Sequence, residues 1–201
     1  MYIPNHFRED RAEVLHEFIR ANPFATLVTQ GPEGMIASHV PLLLENGTLY
    51  GHLARGNPQW NGVDALAIFH GPHHYISPSW YPSKDEHGKV VPTWNYVAVH
   101  AYGRMRNVED SDRLLDHLQK LTGSQEANNP NRWRVNDAPA GYIEGMMRGI
   151  IGIEIEISKL EGKWKVSQNR PDADRHAVAA RLNEIGTSEA KAMAGLVDKA
   201  L

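Results

Sequence analysis

Two neighbouring segments of this chain are rich in aromatic side chains that also carry hydrogen-bonding groups. Residues 75–81 read YISPSWY, and residues 91–96 read VPTWNY. A Trp or Tyr side chain combines a large apolar ring with one polar atom, which suits contact with a flat ligand that has apolar faces and a polar edge. The same residue types are enriched in subunit interfaces. The two segments are therefore interpreted as the wall of a ligand site, as a subunit interface or as buried core.

Other polar residues lie where a predicted strand meets a turn. They are His39, His52, Arg55, Asn57 and Ser77. Strand ends at one rim of a barrel commonly form a cofactor pocket. In the segment HLARGNP, the guanidinium of Arg55 can bind a phosphate through two N–H groups, or it can pair with a surface carboxylate. From the residues alone, these two interpretations of Arg55 carry equal weight.

Neither a metal site nor a catalytic centre is predicted. In the segment FHGPHHY, His73 and His74 would point to opposite faces of a strand, and no carboxylate lies near them in sequence. The chain has no Cys, which excludes disulfide bonds, thiolate zinc sites and a Cys nucleophile. It also lacks the glycine-rich nucleotide motifs, HExxH and GxSxG. Catalytic residues are accordingly left unassigned.

The composition is that of an ordinary soluble domain. The chain has 201 residues, of which 41% are hydrophobic and 22% charged, and its formal net charge is -3. This length suits one domain, and the charge argues against a basic DNA-binding surface at the level of the whole chain. The first ten residues lack the features of a signal peptide, and no apolar run approaches the roughly 20 residues of a membrane-spanning helix. We expect a cytoplasmic protein that does not enter a membrane.

The order of the predicted elements indicates an antiparallel barrel with peripheral helices. Strands are predicted at residues 24–30, 35–45, 48–54, 64–71, 93–108 and 151–158, and residues 159–168 are predicted to return as a hairpin through Glu161-Gly162. Asn46-Gly47 indicates a type I′ turn, and Gly103 indicates a bulge or a close approach. Helices are predicted at residues 10–21, from residue 110, and at residues 139–150, 172–185 and 188–200.

Six longer motifs occur in a fixed order along the chain and point to one family. They are MYIPNHF, SHVPLLL, GHLARGNPQW, GPHHYISPSWY, VPTWNYVAVHAYG and KVSQNR, and they extend from Met1 to Arg170. In these motifs the chain resembles the PaiB-type FMN-binding negative transcriptional regulators, which are related to pyridoxine phosphate oxidases and flavin reductases. The resemblance implies a mainly β fold of the α+β class. Residues 1–170 would form an antiparallel split β-barrel, and residues 171–201 a C-terminal helical extension of the same domain.

The resemblance also implies an FMN site at the interface of a homodimer. The phosphate of FMN is expected near Ser38, His39, Val40, Pro41, His52, Leu53, Ala54, Arg55 and Asn57. The ring and its polar rim are expected near Tyr75, Ser77, Trp94, Asn95, Tyr96, Gln168 and Arg170. Pyridoxine phosphate oxidases place a Lys where this chain has Arg55-Gly56-Asn57. His and Arg side chains would therefore carry more of the positive charge around the phosphate.

Three functions remain open at this point. The first is an FMN-binding regulator with DNA as a partner, although the last two predicted helices carry mixed charges rather than a basic stripe. The second is an FMN-dependent oxidoreductase that takes hydride from a nicotinamide donor, NADH or NADPH. The third is a haem-binding protein, because the chain has eleven His residues and some relatives of this fold bind haem. We rank the regulator first and leave open whether the protein is an enzyme.

Overall fold

The chain folds into two units, and the boundary between them passes through three long strands. The structure is a computed structural model that describes residues 1–60 and 62–199. Unit 1 contains Met1–Phe18, His70–His100 and Glu161–Leu201, and unit 2 contains Ile19–Phe69 and Ala101–Leu160. Each unit is therefore assembled from parts of the chain that are far apart in sequence.

The described residues form eight strands and six α-helices. The strands are β1 (Arg8–Glu9), β2 (Phe24–Gly31), β3 (Gly34–Pro41), β4 (Leu43–Glu45), β5 (Thr48–Ala54), β6 (Asp64–Ile76), β7 (Thr93–Val108) and β8 (Ile150–Lys165). The α-helices are α1 (Ala12–Ala21), α2 (Ser83–His87), α3 (Ser111–Gln125), α4 (Tyr142–Met147), α5 (Asp172–Ile185) and α6 (Ser188–Lys199). Short 3-10 helices span Asn5–Phe7, Pro58–Trp60, Pro78–Trp80 and Val135–Asp137. Within this part of the chain, no helix is both long enough and apolar enough to cross a bilayer.

The strands form one sheet in the order β3-β2-β6-β7-β8-β5-β4, and β1 pairs with β8. β2 pairs antiparallel with β3 and β6, and β5 pairs antiparallel with β4 and β8. Alternate residues of β2 are buried, namely Ala25, Leu27 and Thr29, because successive side chains of a strand point to opposite faces. Asn46 and Gly47 both have positive φ, 48° and 80°, which confirms the predicted type I′ turn between β4 and β5.

The backbones of β7 and β8 come very close together at Gly103. A Cβ atom at this position would lie 2.1 Å from the carbonyl oxygen of Glu156 and 2.8 Å from Cγ2 of Ile155. Such distances are far shorter than a van der Waals contact between these atoms. The predicted close approach at Gly103 is thus confirmed, and only glycine fits there without a shift of the backbone.

The core of unit 1 is formed largely by the two C-terminal helices. It consists of Ile76, Tyr81, Val97, Val166, Val178, Ala179, Leu182, Ala190, Met193, Ala194 and Val197. α5 ends at Gly186, which adopts the left-handed conformation with φ 77°, and Thr187 Oγ1 accepts the N–H of Ala190 at 3.2 Å. Gly186 thus separates the two helices, and Thr187 caps the second of them. The predicted last helix is confirmed as far as Lys199, and its predicted final residue, Ala200, lies outside the described residues.

The predicted hairpin at Glu161-Gly162 is wrong, because β8 continues without a turn to Lys165. Gly162 pairs with Glu9 of β1. A Cβ atom on Gly162 would lie 2.3 Å from Cδ2 of Leu15 and 2.8 Å from the carbonyl oxygen of Glu9. The glycine is therefore required by a close approach to a distant part of the chain and not by a turn.

Several other elements differ in extent from their prediction. β6, predicted at residues 64–71, continues to Ile76, and two further elements are divided or shortened. The strand predicted at residues 35–45 is divided at Leu42 into β3 and β4, and the N–H of Leu42 donates to the carbonyl oxygen of Pro23 at 2.8 Å. The helix predicted at residues 139–150 is shorter and spans Tyr142–Met147. In both cases the pattern locates the element but not its ends, which depend on backbone contacts.

Candidate functional site

Five side chains of unit 1 lie on one side of the sheet and form a surface that we call the aromatic–cationic face: Tyr75 of β6, Trp94 and Tyr96 of β7, and Lys163 and Lys165 of β8. The rings of Tyr75 and Trp94 lie 6.1 Å apart in a T-shaped arrangement. Lys163 Nζ lies 5.2 Å from the ring centre of Tyr96, and Lys165 Nζ donates to the carbonyl oxygen of Trp94 at 2.8 Å. Tyr75 is 44% exposed and Trp94 is 49% exposed, so large apolar rings face solvent beside two cations.

Strand periodicity produces this surface. On the other side of the same strands, Ile76, Val97 and Val166 enter the core of unit 1. Because side chains alternate between the two faces of a strand, Trp94 and Tyr96 point away from that core, as do Lys163 and Lys165. One side of this part of the sheet is thus apolar and covered by α5 and α6, while the other carries rings and positive charge.

The two lysines are held in different ways. Lys163 is only 8% exposed, and its Nζ donates to the carbonyl oxygen of Tyr2 at 3.1 Å while lying 5.8 Å from the ring centre of Tyr2. Contact with ring faces stabilises such a cation. Lys165 Nζ also donates to the hydroxyl of Thr93. Burial lowers the pKa of Lys165, and the positive charges of Lys163 and Arg170 lower it further.

A hydrogen-bond chain fixes the ring of Trp94. Its Nε1–H donates to Nδ1 of His73 at 3.3 Å, and Nε2 of His73 lies 3.1 Å from Oε1 of Glu189. An indole N–H can only donate, so Nδ1 of His73 accepts and the proton of this neutral imidazole lies on Nε2, which donates to Glu189. Trp94 is therefore tied through His73 to the first turn of α6.

The remaining predicted ring and rim residues of unit 1 are engaged within the protein. Asn95 is buried, on the opposite side of β7 from Trp94, and its Nδ2 donates to the hydroxyl of Ser167 at 2.8 Å. Ser77 accepts the N–H of Ser79 at 3.2 Å. The amide of Gln168 bonds the backbone of Trp164 and Val166, and the guanidinium of Arg170 lies 4.7 Å from the ring centre of Tyr81. The structure thus brings Tyr75, Trp94 and Tyr96 together and separates Asn95 from them.

In unit 2, the loop after β5 is anchored to the β2–β3 hairpin. Nδ2 of Asn57 donates to the hydroxyl oxygen of Ser38 at 2.9 Å, and Oδ1 of Asn57 accepts the N–H of Gln59 at 3.0 Å. The buried amide of Gln59 donates to the carbonyl oxygens of Leu27 and Ile36 at 2.9 and 3.0 Å. These bonds place Ser38 and Asn57 side by side, as two segments that form one site would require.

Arg55 lies at the start of the same loop and is exposed. Its Nε donates to the carbonyl oxygen of Arg148 at 3.1 Å, and Nη2 donates to that of Ile150 at 3.0 Å. Its partners are therefore carbonyl oxygens and not the surface carboxylate considered above. Since a guanidinium has five N–H donors, Arg55 keeps donors for a ligand while its side chain is held in place.

The two predicted histidines of unit 2 are placed differently. His39 is exposed on β3, and its Nδ1 lies 3.2 Å from the hydroxyl of Thr26. His52 turns instead toward α3, where its Nδ1 lies 3.2 Å from Nε2 of His117. Burial lowers the pKa of His52. For His117, burial and then the charge of His52 lower the pKa to about 4, so both imidazoles are neutral at pH 7.

The last four predicted residues of unit 2 have no polar side-chain atoms. Val40 and Leu53 are buried in the core, while Pro41 is partly exposed and Ala54 exposed. Any contact they make with a ligand would use the backbone or apolar atoms.

In the described ranges, no three His, Cys, Asp or Glu side chains lie close enough together to hold a metal ion.

Comparison with known proteins identifies the family. Residues 1–159 match the family model described as "Putative FMN-binding domain". The chain is also 35% identical to the protease synthase and sporulation protein PAI 2 of Bacillus subtilis, over all of this chain and 98% of that protein. The chain belongs to the PaiB-type FMN-binding family. An uncharacterised family relative in Emericella nidulans is 34% identical over 98% of this chain and 96% of its own length.

Solved structures show that this PaiB-type protein has the fold of flavin-binding split barrels. It is similar to the flavocytochrome Anf3 of Azotobacter vinelandii, with a TM-score of 0.62 and 12% identity over 81% of this chain and 72% of that one. It is also similar to an FAD and heme binding protein of Mycobacterium smegmatis, with a TM-score of 0.62 and 15% identity over 86% and 79% of the two chains. The predicted α+β class and split-barrel fold are confirmed.

Family membership makes a flavin the cofactor of this PaiB-type chain, and the residues present fit one. A flavin has a flat ring system, and FMN adds a phosphate that prefers hydroxyl, imidazole and guanidinium donors. Unit 2 supplies such donors in Ser38, His39 and Arg55, and unit 1 supplies the exposed rings of the aromatic–cationic face. The donor chemistry of each unit, taken by itself, therefore suits one part of the cofactor.

Sequence reasoning missed three residues of these surroundings. Lys163 and Lys165 had a usable signal, because the alternation in KWKV at residues 163–166 predicts two lysines on one face of a strand. His117 gave no signal, since its proximity to His52 depends on how α3 packs against β5.

Proposed function

We propose that this chain binds FMN as a homodimer and acts as a regulator of the PaiB type, with FMN as its bound ligand or redox reporter. The observation that carries the proposal is the aromatic–cationic face, where Tyr75 and Trp94 remain about half exposed although such rings favour burial. Rings of this kind cover the faces of a flavin, and nearby cations favour its reduced, more negative form. When bound, the flavin supplies electron and hydride transfer.

The phosphate of FMN is proposed to bind in unit 2, between β3 and the loop after β5. Ser38 and Asn57 are already hydrogen-bonded to each other there, and Arg55 is held by two carbonyl oxygens. Donors that are fixed before binding lose less conformational entropy when a phosphate arrives. This arrangement supports a phosphate site that functions without the Lys of the pyridoxine phosphate oxidases.

The phosphate contact proposed in unit 2 and the ring contact proposed in unit 1 are each testable through flavin affinity. We expect Arg55→Ala to weaken FMN binding by at least about tenfold, because a charge-assisted hydrogen bond is lost. Trp94→Ala should weaken it by about tenfold through lost ring contact. The dissociation constant is measured by quenching of FMN fluorescence, and the released flavin is identified by mass.

Trp133→Ala is the matched control, since Trp133 is also about half exposed but lies in another part of the chain. It should leave FMN affinity unchanged. Unaltered affinity in both Arg55→Ala and Trp94→Ala would show that the site is placed wrongly. An absorption spectrum with a Soret band after haemin is added, but no flavin after reconstitution, would favour haem instead.

The homodimer is supported by an apolar face on the β2–β3–β6 sheet of unit 2. Val28 pairs across the strands with Leu66, and Thr26 pairs with Ile68. These side chains alternate with the buried ones and remain partly exposed, and Phe24 on the same side is 65% exposed. A contiguous apolar surface of this kind is typical of a protein interface.

We expect Leu66→Lys to weaken the dimer by at least about tenfold, because an unpaired charge would be buried at the interface. Sedimentation equilibrium gives the mass across a concentration series, and circular dichroism confirms that the variant is folded. Met146→Lys on α4 is the control, since Met146 is an apolar side chain on the surface, 57% exposed, but belongs to a helix outside this sheet. A Leu66→Lys protein with the dimer mass and affinity of the parent would refute this choice of interface.

An FMN-dependent NAD(P)H oxidoreductase is the second candidate. It is favoured by the half-exposed ring of Trp94, which leaves surface for a second flat molecule such as a nicotinamide. Anaerobic mixing with NADH or NADPH separates it from the first, because hydride transfer bleaches the absorbance of oxidised FMN. If FMN binds but does not bleach with either donor, the oxidoreductase is rejected.

Direct DNA binding is the part of the regulator proposal with the least structural support. The name of the Bacillus relative refers to protease synthase and sporulation, which supports a regulatory role. On α5, however, Arg175 pairs with Asp172 and Arg181 with Glu184, so these cations are not free to meet phosphates. Promoter DNA should bind more tightly than random DNA of equal length and with a steep salt dependence. Absence of binding at low salt would remove DNA as a partner.

A further inference from the structure

A cavity of about 160 Å³ lies in unit 2 between α3 and the strands β5, β7 and β8. Its inner wall is formed by four buried side chains, those of Val108, Leu114, His117 and Ile153. Other residues of α3 that line it are exposed, so the cavity can be entered from solvent. None of the residues that line it belongs to the proposed flavin contacts. The cavity is therefore a candidate site for a separate ligand.

A buried nitrogen atom of this lining lacks a hydrogen-bond partner. His117 is 7% exposed, and its Nε2 lies 3.2 Å from Nδ1 of His52. The other ring nitrogen of His117, Nδ1, has no partner among the described residues. A buried polar atom without a hydrogen bond costs free energy that a suitable ligand can recover. The volume of the cavity and the unpartnered nitrogen thus point independently to a ligand with a hydrogen-bonding group.

A hydroxyl group matches this nitrogen in either protonation pattern of the histidine pair. Burial lowers the pKa of His52 and of His117, so both rings are neutral at pH 7 and one N–H lies between them. If His52 donates this N–H, Nδ1 of His117 carries a proton of its own and is a donor. If His117 donates through Nε2, its Nδ1 is an acceptor. Because a hydroxyl both donates and accepts, it fits both patterns.

The charged residues of the lining are already paired. Nζ of Lys120 lies 3.0 Å from Oε2 of Glu45 and 2.8 Å from Oδ2 of Asp116. Nη2 of Arg113 lies 2.7 Å from Oε2 of Glu154. A charged ligand would have to compete with these pairs, and it would lose water on entering a cavity with an apolar inner wall. The lining therefore favours a neutral molecule over phosphate or another ion.

We propose that this cavity binds a small neutral molecule with an apolar body about the size of one benzene ring and a hydroxyl group that bonds to Nδ1 of His117. An apolar cavity of about 150 Å³ holds benzene, and the cavity of this chain has a similar volume. Val108, Leu114 and Ile153 would contact the apolar body. The proposal does not rest on flavin binding, because the two sets of residues differ.

The test is a titration of the full chain with phenol and, separately, with toluene, which has nearly the same shape but a methyl group in place of the hydroxyl. We expect phenol to bind with a dissociation constant of about 1 mM or below. It should bind at least about fivefold more tightly than toluene, because only phenol pairs the buried nitrogen. Binding is followed by NMR through the nitrogen chemical shifts of the His117 ring. Saturating FMN should change the affinity for phenol by less than about threefold, since the sites are separate.

Three variants locate the bound probe. Leu114→Trp fills the cavity and should weaken the binding of both probes by at least about tenfold, because their space is lost. Leu121→Trp is the matched control, since Leu121 lies on the same helix but does not line the cavity. It should leave both affinities unchanged. His117→Phe keeps a ring but removes its nitrogens, so phenol should lose its preference over toluene.

Absence of phenol binding to the parent chain would overturn the proposal. Binding that Leu114→Trp leaves intact, or that FMN displaces, would also overturn it, because the probe would then lie on the surface or in the flavin site. A preference for phenol that persists in His117→Phe would refute the assigned hydrogen bond. If circular dichroism shows that Leu114→Trp is unfolded, the parent chain decides: the shift of His117 Nδ1 must change with phenol and saturate with binding. If FMN does not bind at all, the proposed function fails, while the flavin-free titration still decides whether the cavity is a site.

Discussion

Gly103→Ala is expected to destabilise the protein by about 3 kcal/mol or more, the upper range for overpacking a tight site. The new methyl group would lie 2.1 Å from a backbone carbonyl oxygen of β8. A backbone atom cannot rotate away as the end of a flexible side chain can. The clash must therefore separate β7 from β8 at this point. The free energy of unfolding is measured by urea denaturation followed by circular dichroism.

Gly123→Ala on α3 is the matched control, because nothing lies within 4 Å of a Cβ at that position. Alanine is about 1 kcal/mol better than glycine inside a helix, so this variant should be as stable as the parent or more stable. A urea midpoint for Gly103→Ala equal to that of the parent would contradict the close approach of Gly103 to the backbone of Glu156.

Lowering the pH from 7 to 4 is expected to reduce the free energy of unfolding by about 3 kcal/mol through His117 alone. The pKa of His117 in the folded protein is about 4, against 6.5 for an unperturbed imidazole. Between these values the unfolded chain binds the proton and the folded chain does not. The contribution of His117 to stability therefore falls as the pH decreases from 6.5 to 4 and levels off below 4. The lowered pKa of His52 acts in the same direction.

Urea unfolding at a series of pH values measures this effect, and His117→Gln should flatten the profile between pH 4 and 6.5. The control is His176→Gln, which removes an exposed histidine of α5 and should leave the slope unchanged. If His117→Gln retains the full slope of the parent, the pH dependence arises from other groups.

The strands were predictable where their limits are set locally. β5 and β7 have the predicted bounds, 48–54 and 93–108, because a type I′ turn or a Pro stands directly before each of them. The continuous β8 was not predictable in the same way. Glu161-Gly162 has the composition of a turn, and only the contact of Gly162 with Leu15 and Glu9 explains its glycine. Contacts between residues far apart in sequence cannot be predicted from the residues on either side of such a glycine.

For the candidate site, the structure shows which of the predicted side chains lie together and which partners hold them. Trp94, Asn95 and Tyr96 were all assigned to one flavin site, although strand periodicity alone separates Asn95 from the other two. The structure assigns Asn95 to a buried bond with Ser167. The partners of Arg55 were beyond prediction, since they are backbone carbonyls of residues 148 and 150, nearly a hundred positions away.

The hydrogen-bond chain from Glu189 through His73 to Trp94 couples the position of α6 to the orientation of the indole ring. Any ligand that holds the indole in its present orientation also favours the bonded position of the first turn of α6. By thermodynamic reciprocity, a partner that bound α6 more tightly in this position would raise the affinity for the ligand by the factor by which the ligand raises the affinity for the partner. The final helix thus has the means to communicate ligand occupancy to a partner that never contacts the ligand itself.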